Sequence, residues 1–145
     1  MKETHSVQLI AVFAKNQKGQ LSRCAGILAQ AGINIHWVGI ASVNGYGIIR
    51  FLVNNPTLAY EEFRRHHLTC TMVDILAVEI PNQPGSLYRI TALLAEADIN
   101  LINCSGFVFH NRAILLLEPE QMDEARQILQ QNGYSLLTRE QLLNL

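Results

Sequence analysis

Apolar residues along the chain follow two spacings, and the order of these spacings occurs twice. Short apolar runs typical of strands, Leu9–Phe13 and Ile75–Ile80, each end at a loop rich in turn residues. After each loop, apolar residues recur every three or four positions, which places them on one face of a helix. These residues are Leu21, Cys24, Leu28 and Ala31 in the first half and Leu87, Ile90, Leu94 and Ala97 in the second.

The loop and helix are a sequence repeat. The segment NQKGQLSRCAGILAQAGIN, residues 16–34, and the segment NQPGSLYRITALLAEADIN, residues 82–100, align without a gap and are identical at more than half of their positions. In both, a glycine stands directly before the helix, where it suits an N-cap or a tight entry. Internal duplication is therefore the strongest signal in the sequence.

The first half continues with two strands and a second helix. Residues Ile33–Val43 and Tyr46–Val53 are predicted strands, and Asn44-Gly45 between them is a two-residue hairpin signal. Pro56 stands just before the helical run Thr57–His67. The run Thr69–Ile80 is predicted to end the first unit and to begin the second.

The second half follows the same order, with strands in INLINCSGFVF, AILLLE and YSLLT and a helix in EQMDEARQILQQ. Each half is therefore β-α-β-β-α-β, the ferredoxin-like order. We predict an α+β fold of two tandem units, residues 1–70 and 71–145, each an antiparallel sheet covered by helices on one face. Thr138 and Gln141 form a capping-box signal for a short terminal helix.

Composition narrows the functional classes. Eleven basic and twelve acidic side chains give a formal net charge of -1, so neither nucleic acid nor a membrane surface is an expected partner. The three cysteines have unrelated spacings, which fits free thiols in a reducing compartment. The N-terminal apolar run is too short for a signal segment or a membrane span. We expect a cytoplasmic protein.

The repeated motif resembles the signature of the ACT domain. Asn-Gln-Pro-Gly-Ser-Leu before a helix and Ile-Asn after it carry the resemblance, and as two tandem units it covers essentially the whole chain. ACT domains are small regulatory modules of amino-acid-biosynthetic enzymes and stand-alone sensors, with the βαββαβ fold. The resemblance implies that an amino acid or similar small metabolite binds at the interface between units, against the loop before the first helix.

The resemblance also implies the ligand-binding residues. Lys18 departs from the family pattern, which has proline there, as at Pro84, and it removes the fixed φ that would preorganise the loop. The second site is therefore expected to be better formed than the first. The implied residues are Asn16, Gln17, Gly19, Gln20, Leu21 and Asn34 in the first unit, and Asn82, Gln83, Pro84, Gly85, Ser86, Leu87 and Asn100 in the second.

Other functions of this topology lack their residues. The loops carry no arginine that would form the anion cradle of an acylphosphatase-like enzyme, and no Cys-x-x-Cys metal loop is present. The strands NLINCSGFVF and AILLLE lack the basic residues that are interleaved with aromatics on an RNA-binding sheet. We expect no catalysis, cofactor or metal. Two hypotheses stay open: an allosteric amino-acid sensor acting through homodimer assembly or an enzyme partner, and a degenerate pair that serves only dimerisation or docking.

Overall fold

The computed structural model describes residues 6–145, so the first five residues of the predicted 1–70 unit lie outside the described part. Within the described residues the chain divides into two compact units, one formed by Gln8–Val73 and the other by Asp74–Leu145 together with the N-terminal residues up to Val7. Strand β4 (Thr69–Pro81) runs without interruption through the point where one unit follows the other. The long run Thr69–Ile80 is therefore one strand used in both units.

Each unit has the predicted element order. The first contains β1 (Val7–Lys15), α1 (Gln20–Gln30), β2 (Ile35–Val43), β3 (Tyr46–Val53), α2 (Pro56–Arg65) and the start of β4. The second contains the end of β4, α3 (Ser86–Glu96), β5 (Leu101–Phe109), β6 (Arg112–Pro119), α4 (Met122–Gln131), β7 (Ser135–Leu137) and α5 (Arg139–Leu143). The prediction of two tandem βαββαβ units with an α+β fold is confirmed.

The strands of the two units pair in equivalent orders. In the first unit the order is β4-β1-β3-β2, and β3 pairs antiparallel with both β1 and β2. In the second it is β7-β4-β6-β5, with antiparallel pairing throughout. Strands β2 and β5 therefore end the orders of their own units, and each has only one strand partner in them.

Each unit has its own hydrophobic core between the sheet and the helices. In the first unit Phe51 of β3 packs against Phe63 of α2, with ring centroids 5.9 Å apart. In the second unit the side chain of Leu129, from α4, is fully buried in the corresponding core with Leu117 of β6. The helical faces predicted from the apolar spacing supply Cys24 and Leu28 to the first core.

The hairpin turn and the helix cap predicted from the sequence are both present in the structure. Asn44 and Gly45 have φ values of 53° and 80°, as a hairpin turn with two positive φ angles requires. At α5 the Thr138 hydroxyl accepts a hydrogen bond from the Gln141 amide, and the Gln141 side chain accepts one from the Thr138 amide. Local sequence therefore determines where these elements begin and end.

Candidate functional site

Both repeated loops enter their helices through a left-handed glycine. Gly19 before α1 and Gly85 before α3 have φ values of 89° and 88°, and neither helix has a side-chain N-cap hydrogen bond. A residue with a Cβ is disfavoured in this region, which explains why glycine occurs in both copies. The two N-caps have the same conformation although Lys18 stands where the second loop has Pro84.

A cavity of about 180 Å³ lies at the first loop, entirely within the first unit. It brings together Asn16, Gln17, Gly19, Gln20 and Leu21, five of the residues that the family resemblance implies. The rest of its wall comes from the ends of β1, β2 and β3 and from the start of α1: Ala14, Lys15, Ser22, Ile40, Gly47 and Ile49. The loop therefore faces the sheet across a small space.

Hydrogen bonds hold the first loop against the sheet. The Asn16 side-chain amide donates to the Ser42 hydroxyl at 3.1 Å, and the Asn16 backbone N–H donates to the Gly45 carbonyl at 2.8 Å. At the position equivalent to Ser42 the second unit has Val108, which has no hydroxyl. The loop of the first unit is thus tied to β2 by a contact that the second unit cannot make.

The residues that line the first loop cavity carry both unused donors and an unused acceptor. The Gln20 N–H donates to Gln17 O and the Arg23 N–H to Gly19 O, whereas within residues 6–145 the N–H groups of Leu21 and Ser22 form no hydrogen bond. The Gln20 side-chain oxygen Oε1 is buried and accepts no hydrogen bond from any described residue. Leaving a buried polar atom unpaired costs about 1–3 kcal/mol, so a movement of the Gln20 side chain that brings this oxygen to a donor in the cavity would be favoured.

The second loop has the same backbone but different side chains. Ser86 takes the place of Gln20; it is buried, and its N–H donates to Gln83 O at 3.3 Å. Leu87 is 51% exposed, and Asn82, Gln83 and Pro84 are exposed as well. In the part of the chain that the structure describes, the amide of Leu87 has no hydrogen-bond partner. The second loop therefore offers donors without the buried amide oxygen.

The two asparagines after the helices lie at the far ends of α1 and α3 from these loops, and Asn34 does not line the first loop cavity. The Asn34 N–H donates to the Asn54 side chain at 3.0 Å, and the Asn100 side chain donates to Glu120 at 3.2 Å. Both residues also accept a backbone hydrogen bond from the segment that follows β3 or β6. Their contacts join the start of one strand to the end of its neighbour.

Sequence reasoning missed the wall residues Ile40 and Gly47. They reach the loop through the antiparallel register in which Ile40 lies opposite Ile49 and Ser42 lies opposite Gly47. A Cβ at Gly47 would lie 3.7 Å from the Asn16 Cβ, an ordinary van der Waals contact, so this position lies directly beside the loop side chain. The hairpin signal at Asn44-Gly45 sets this register, and counting back from it could have identified both residues.

Charge interactions in the second unit centre on Glu79 and Arg112. The guanidinium donates to the two carboxylate oxygens at 2.6 Å and 2.9 Å. This hydrogen bonding lowers the pKa of Glu79 below its ordinary value and raises that of Arg112.

In the first unit, burial raises the pKa of the Cys24 thiol, which keeps it protonated in the core. All three cysteines are free.

No group of three or more His, Cys, Asp or Glu side chains within residues 6–145 is placed to hold a metal ion. Likewise, none of the helices in the described range is both long enough and apolar enough to cross a membrane.

Comparison with known proteins gives a family match and several structures of similar fold. Residues 5–145 match the family described as "ACT domain pair". The structure of protein BT0572 from Bacteroides thetaiotaomicron is similar over 98% of this chain and 100% of that one, with 25% identity and a TM-score of 0.90. A search of curated proteins found no match.

Two regulatory subunits of aspartate kinase share the fold. The subunit from Thermus thermophilus, in its ligand-free form, is 15% identical and has a TM-score of 0.62; the similarity covers 87% of this chain and 92% of that one. The subunit from Thermus flavus is 17% identical and has a TM-score of 0.64; the similarity covers 86% and 91% of the two chains. At these identities the similarity establishes the fold alone.

Proposed function

The chain belongs to the family of ACT domain pairs, and from this premise we propose that it is a small non-catalytic regulatory module that binds an amino acid. The ligand occupies the first loop cavity, beside Asn16–Leu21. The observation that carries the proposal is the buried, unpaired Oε1 of Gln20 next to the free N–H groups of Leu21 and Ser22. The second loop, Asn82–Leu87, is proposed as a second and different site. We place the protein in the cytoplasm, in keeping with its free thiols.

The chemistry of the cavity matches a zwitterion. A carboxylate accepts hydrogen bonds from free backbone N–H groups at a helix N-terminus, where the helix dipole also favours negative charge. An ammonium group donates to an amide oxygen such as Gln20 Oε1. Ile40, Ile49 and Leu21 supply apolar surface for the ligand side chain. The cavity volume of about 180 Å³ suits one small amino acid.

The energetics favour a second wall around the ligand. Micromolar binding requires about 8 kcal/mol, whereas hydrogen bonds to charged groups contribute about 1.5–3 kcal/mol each and the helix dipole about 0.3–1 kcal/mol. Association itself costs at least about 4 kcal/mol. The first loop alone therefore provides too little binding free energy for micromolar affinity, and an additional surface must close over the ligand.

We propose that a second copy of the chain supplies this surface along β2. The strand has one partner in the order of its unit, and its Val38 and Ile40 side chains are 44% and 50% exposed. Ile40 also lines the cavity, and Leu21 on α1 is 39% exposed. An unpaired strand edge with apolar side chains is a template for association with another chain. Dimerisation here would cover the apolar edge and the cavity together.

Ligand binding would be read out by assembly or by a partner protein such as an enzyme. A ligand that contacts both copies stabilises the associated form, by as much as its affinity for that form exceeds its affinity for the other. The competing proposal is a pair that serves only dimerisation or docking. That function needs the apolar edge but no ligand, so it leaves the unpaired Gln20 oxygen without a role.

A thermal-shift screen distinguishes these two functions. The wild-type protein is tested with each of the twenty amino acids at millimolar concentration, together with Gln20→Leu, which removes the acceptor at nearly constant size. Gln30→Leu at the exposed end of α1 is the matched control, and Asn82→Ala tests the second loop. We expect a selective rise in melting temperature that Gln20→Leu abolishes and Gln30→Leu retains. The absence of a shift with every amino acid would contradict the sensor and favour docking.

A further inference from the structure

We infer that the second unit contains an anion-binding cleft beside Arg89, separate from the first loop cavity and from the function proposed for it. The cleft has a volume of about 460 Å³ and lies wholly within the second unit. It is formed by the end of β4, the first turns of α3, the start of β6 and the turn between α4 and β7. Its lining residues are Glu79, Ile80, Pro81, Arg89, Asn111, Arg112, Asn132, Gly133, Tyr134 and Ser135.

Comparison with the equivalent residue of the first unit shows what is unusual about Arg89. Its counterpart in the first unit, Arg23, donates a hydrogen bond of 3.1 Å to the carbonyl of His66 at the C-cap of α2. Arg89 makes no such bond to Asn132, the corresponding residue after α4. Within the described residues its guanidinium has one long hydrogen bond, 3.4 Å to the Ser86 hydroxyl. The equivalent arginines therefore differ. Arg23 is hydrogen-bonded to a backbone carbonyl, whereas the guanidinium of Arg89 is available to bind a ligand.

The charges in the cleft favour an anion. Glu79 is the one carboxylate in its lining, and both of its oxygens accept hydrogen bonds from Arg112. Because this pair is internally neutralised, the guanidinium of Arg89 leaves the cleft with an uncompensated positive charge. A planar guanidinium presents two parallel donors to a carboxylate or phosphate, the oxyanions that arginine binds best.

The polar rim indicates a hydroxyl-bearing ligand. Asn132 uses its side-chain amide to donate to the Ile128 carbonyl at 2.8 Å, which leaves its side-chain oxygen as an acceptor. Ser135 adds a hydroxyl and Asn111 a carboxamide, and both residues are exposed at the cleft. Such groups match the hydroxyls of a small metabolite. The ligand class is a small organic anion with one carboxylate or phosphate and at least one hydroxyl.

The test uses the full chain and two matched arginine variants. Inorganic phosphate and glycerate are titrated calorimetrically at constant ionic strength, so that general screening does not change. We expect saturable binding of at least one probe to the wild type and to Arg23→Gln, and at least a tenfold weaker affinity in Arg89→Gln. Binding of phosphate but not glycerate would assign a phosphorylated ligand, and the reverse would assign a carboxylate.

Three results would overturn the inference: no saturable binding of either probe, unchanged affinity in Arg89→Gln, or equal losses in both arginine variants. Arg89 is exposed, so Arg89→Gln should fold, and its melting temperature in buffer verifies this. Backbone amide NMR shifts give an independent reading, because binding should move the signals of Asn111 and Gly133 in the wild type. The failure of this site leaves the amino-acid cavity of the first unit unaffected, since the two lie in different units.

Discussion

At the scale of single residues, the two loop glycines allow the helices to start where they do. Gly19 and Gly85 occupy nearly identical positive φ angles although the residue before each differs. The conformation is therefore a property of the glycine and of the first helical turn rather than of Pro84. Lys18 does not prevent the first loop from adopting it.

Gly19→Ala should destabilise the first unit by about 1–2 kcal/mol, the cost of placing an L-residue in the left-handed region. No heavy atom lies within 4 Å of the added Cβ, so the backbone strain is the whole effect. Urea unfolding measures it. Gly26→Ala, an open position inside α1, is the control and should stabilise the protein by about 0.5–1 kcal/mol. Equal effects of the two changes would contradict this account.

The ion pair of Glu79 and Arg112 makes a pH-dependent contribution to stability. Because the folded state lowers the pKa of Glu79 from 4.5, the contribution is complete above that pH and is lost as pH falls through the folded pKa. Glu79→Gln should therefore be less stable than the wild type at pH 7, and the difference should shrink toward pH 3. Urea midpoints across this range test the prediction, and a difference that is constant with pH would contradict it.

At the scale of elements, the second helices of the two units differ in their caps. The Asn55 side chain accepts a hydrogen bond from the Leu58 amide at 3.1 Å and begins α2, with Pro56 next to it. Gln121, at the equivalent position before α4, makes no side-chain cap. Both cap residues lie on the exposed surface, so their effects on stability are separable from core packing.

Removing the side-chain cap of α2 and adding one to α4 should change the free energy of unfolding in opposite directions. Asn55→Ala should lower the free energy of unfolding by about 0.5–2 kcal/mol, since the Leu58 amide loses its acceptor. Gln121→Ser should raise it by up to about 1 kcal/mol, because serine is a favourable N-cap. Denaturant unfolding of both variants gives the comparison. A loss of stability in Gln121→Ser would show that the side chain of Gln121 has another role.

The elements could be predicted from sequence because their signals are local. Apolar periodicity, the Asn44-Gly45 turn and the Thr138 cap each act within a few residues, and the repeat supplied an internal check. The cavity wall could not be predicted in the same way, since Ile40 and Gly47 reach the loop through strand pairing. Nor could the different contacts of Arg23 and Arg89 be predicted, since Arg23 donates to the His66 carbonyl and Arg89 to the Ser86 hydroxyl.

At the scale of the whole molecule, the proposed dimer uses β2 rather than β5. The positions on β5 that correspond to Val38 and Ile40 are Cys104 and Gly106, and the large exposed apolar side chains of β5 are instead Ile102 and Val108. The duplicated strands therefore present their exposed apolar side chains at different positions. The first loop cavity and the exposed Val38 and Ile40 lie on the same unit, and Ile40 belongs to both.

Val38→Lys should weaken self-association at least tenfold, because a charged side chain on a strand edge opposes pairing with a second chain. Ile102→Lys, at a 57% exposed position on β5, is the control and should leave association unchanged. Sedimentation velocity over a range of protein concentrations measures both. Equal association of wild type and Val38→Lys would place the interface elsewhere.

The central claim is that an amino acid binds in the first loop cavity. The most direct measurement is a backbone amide NMR titration of the wild-type protein with the amino acid that raises its melting temperature most. The account predicts saturable shifts of the Leu21 and Ser22 amide signals, with the Gln20 side chain, and their loss in Gln20→Leu. Saturable shifts confined to other residues, or no shifts in Gln17–Ser22, would contradict it.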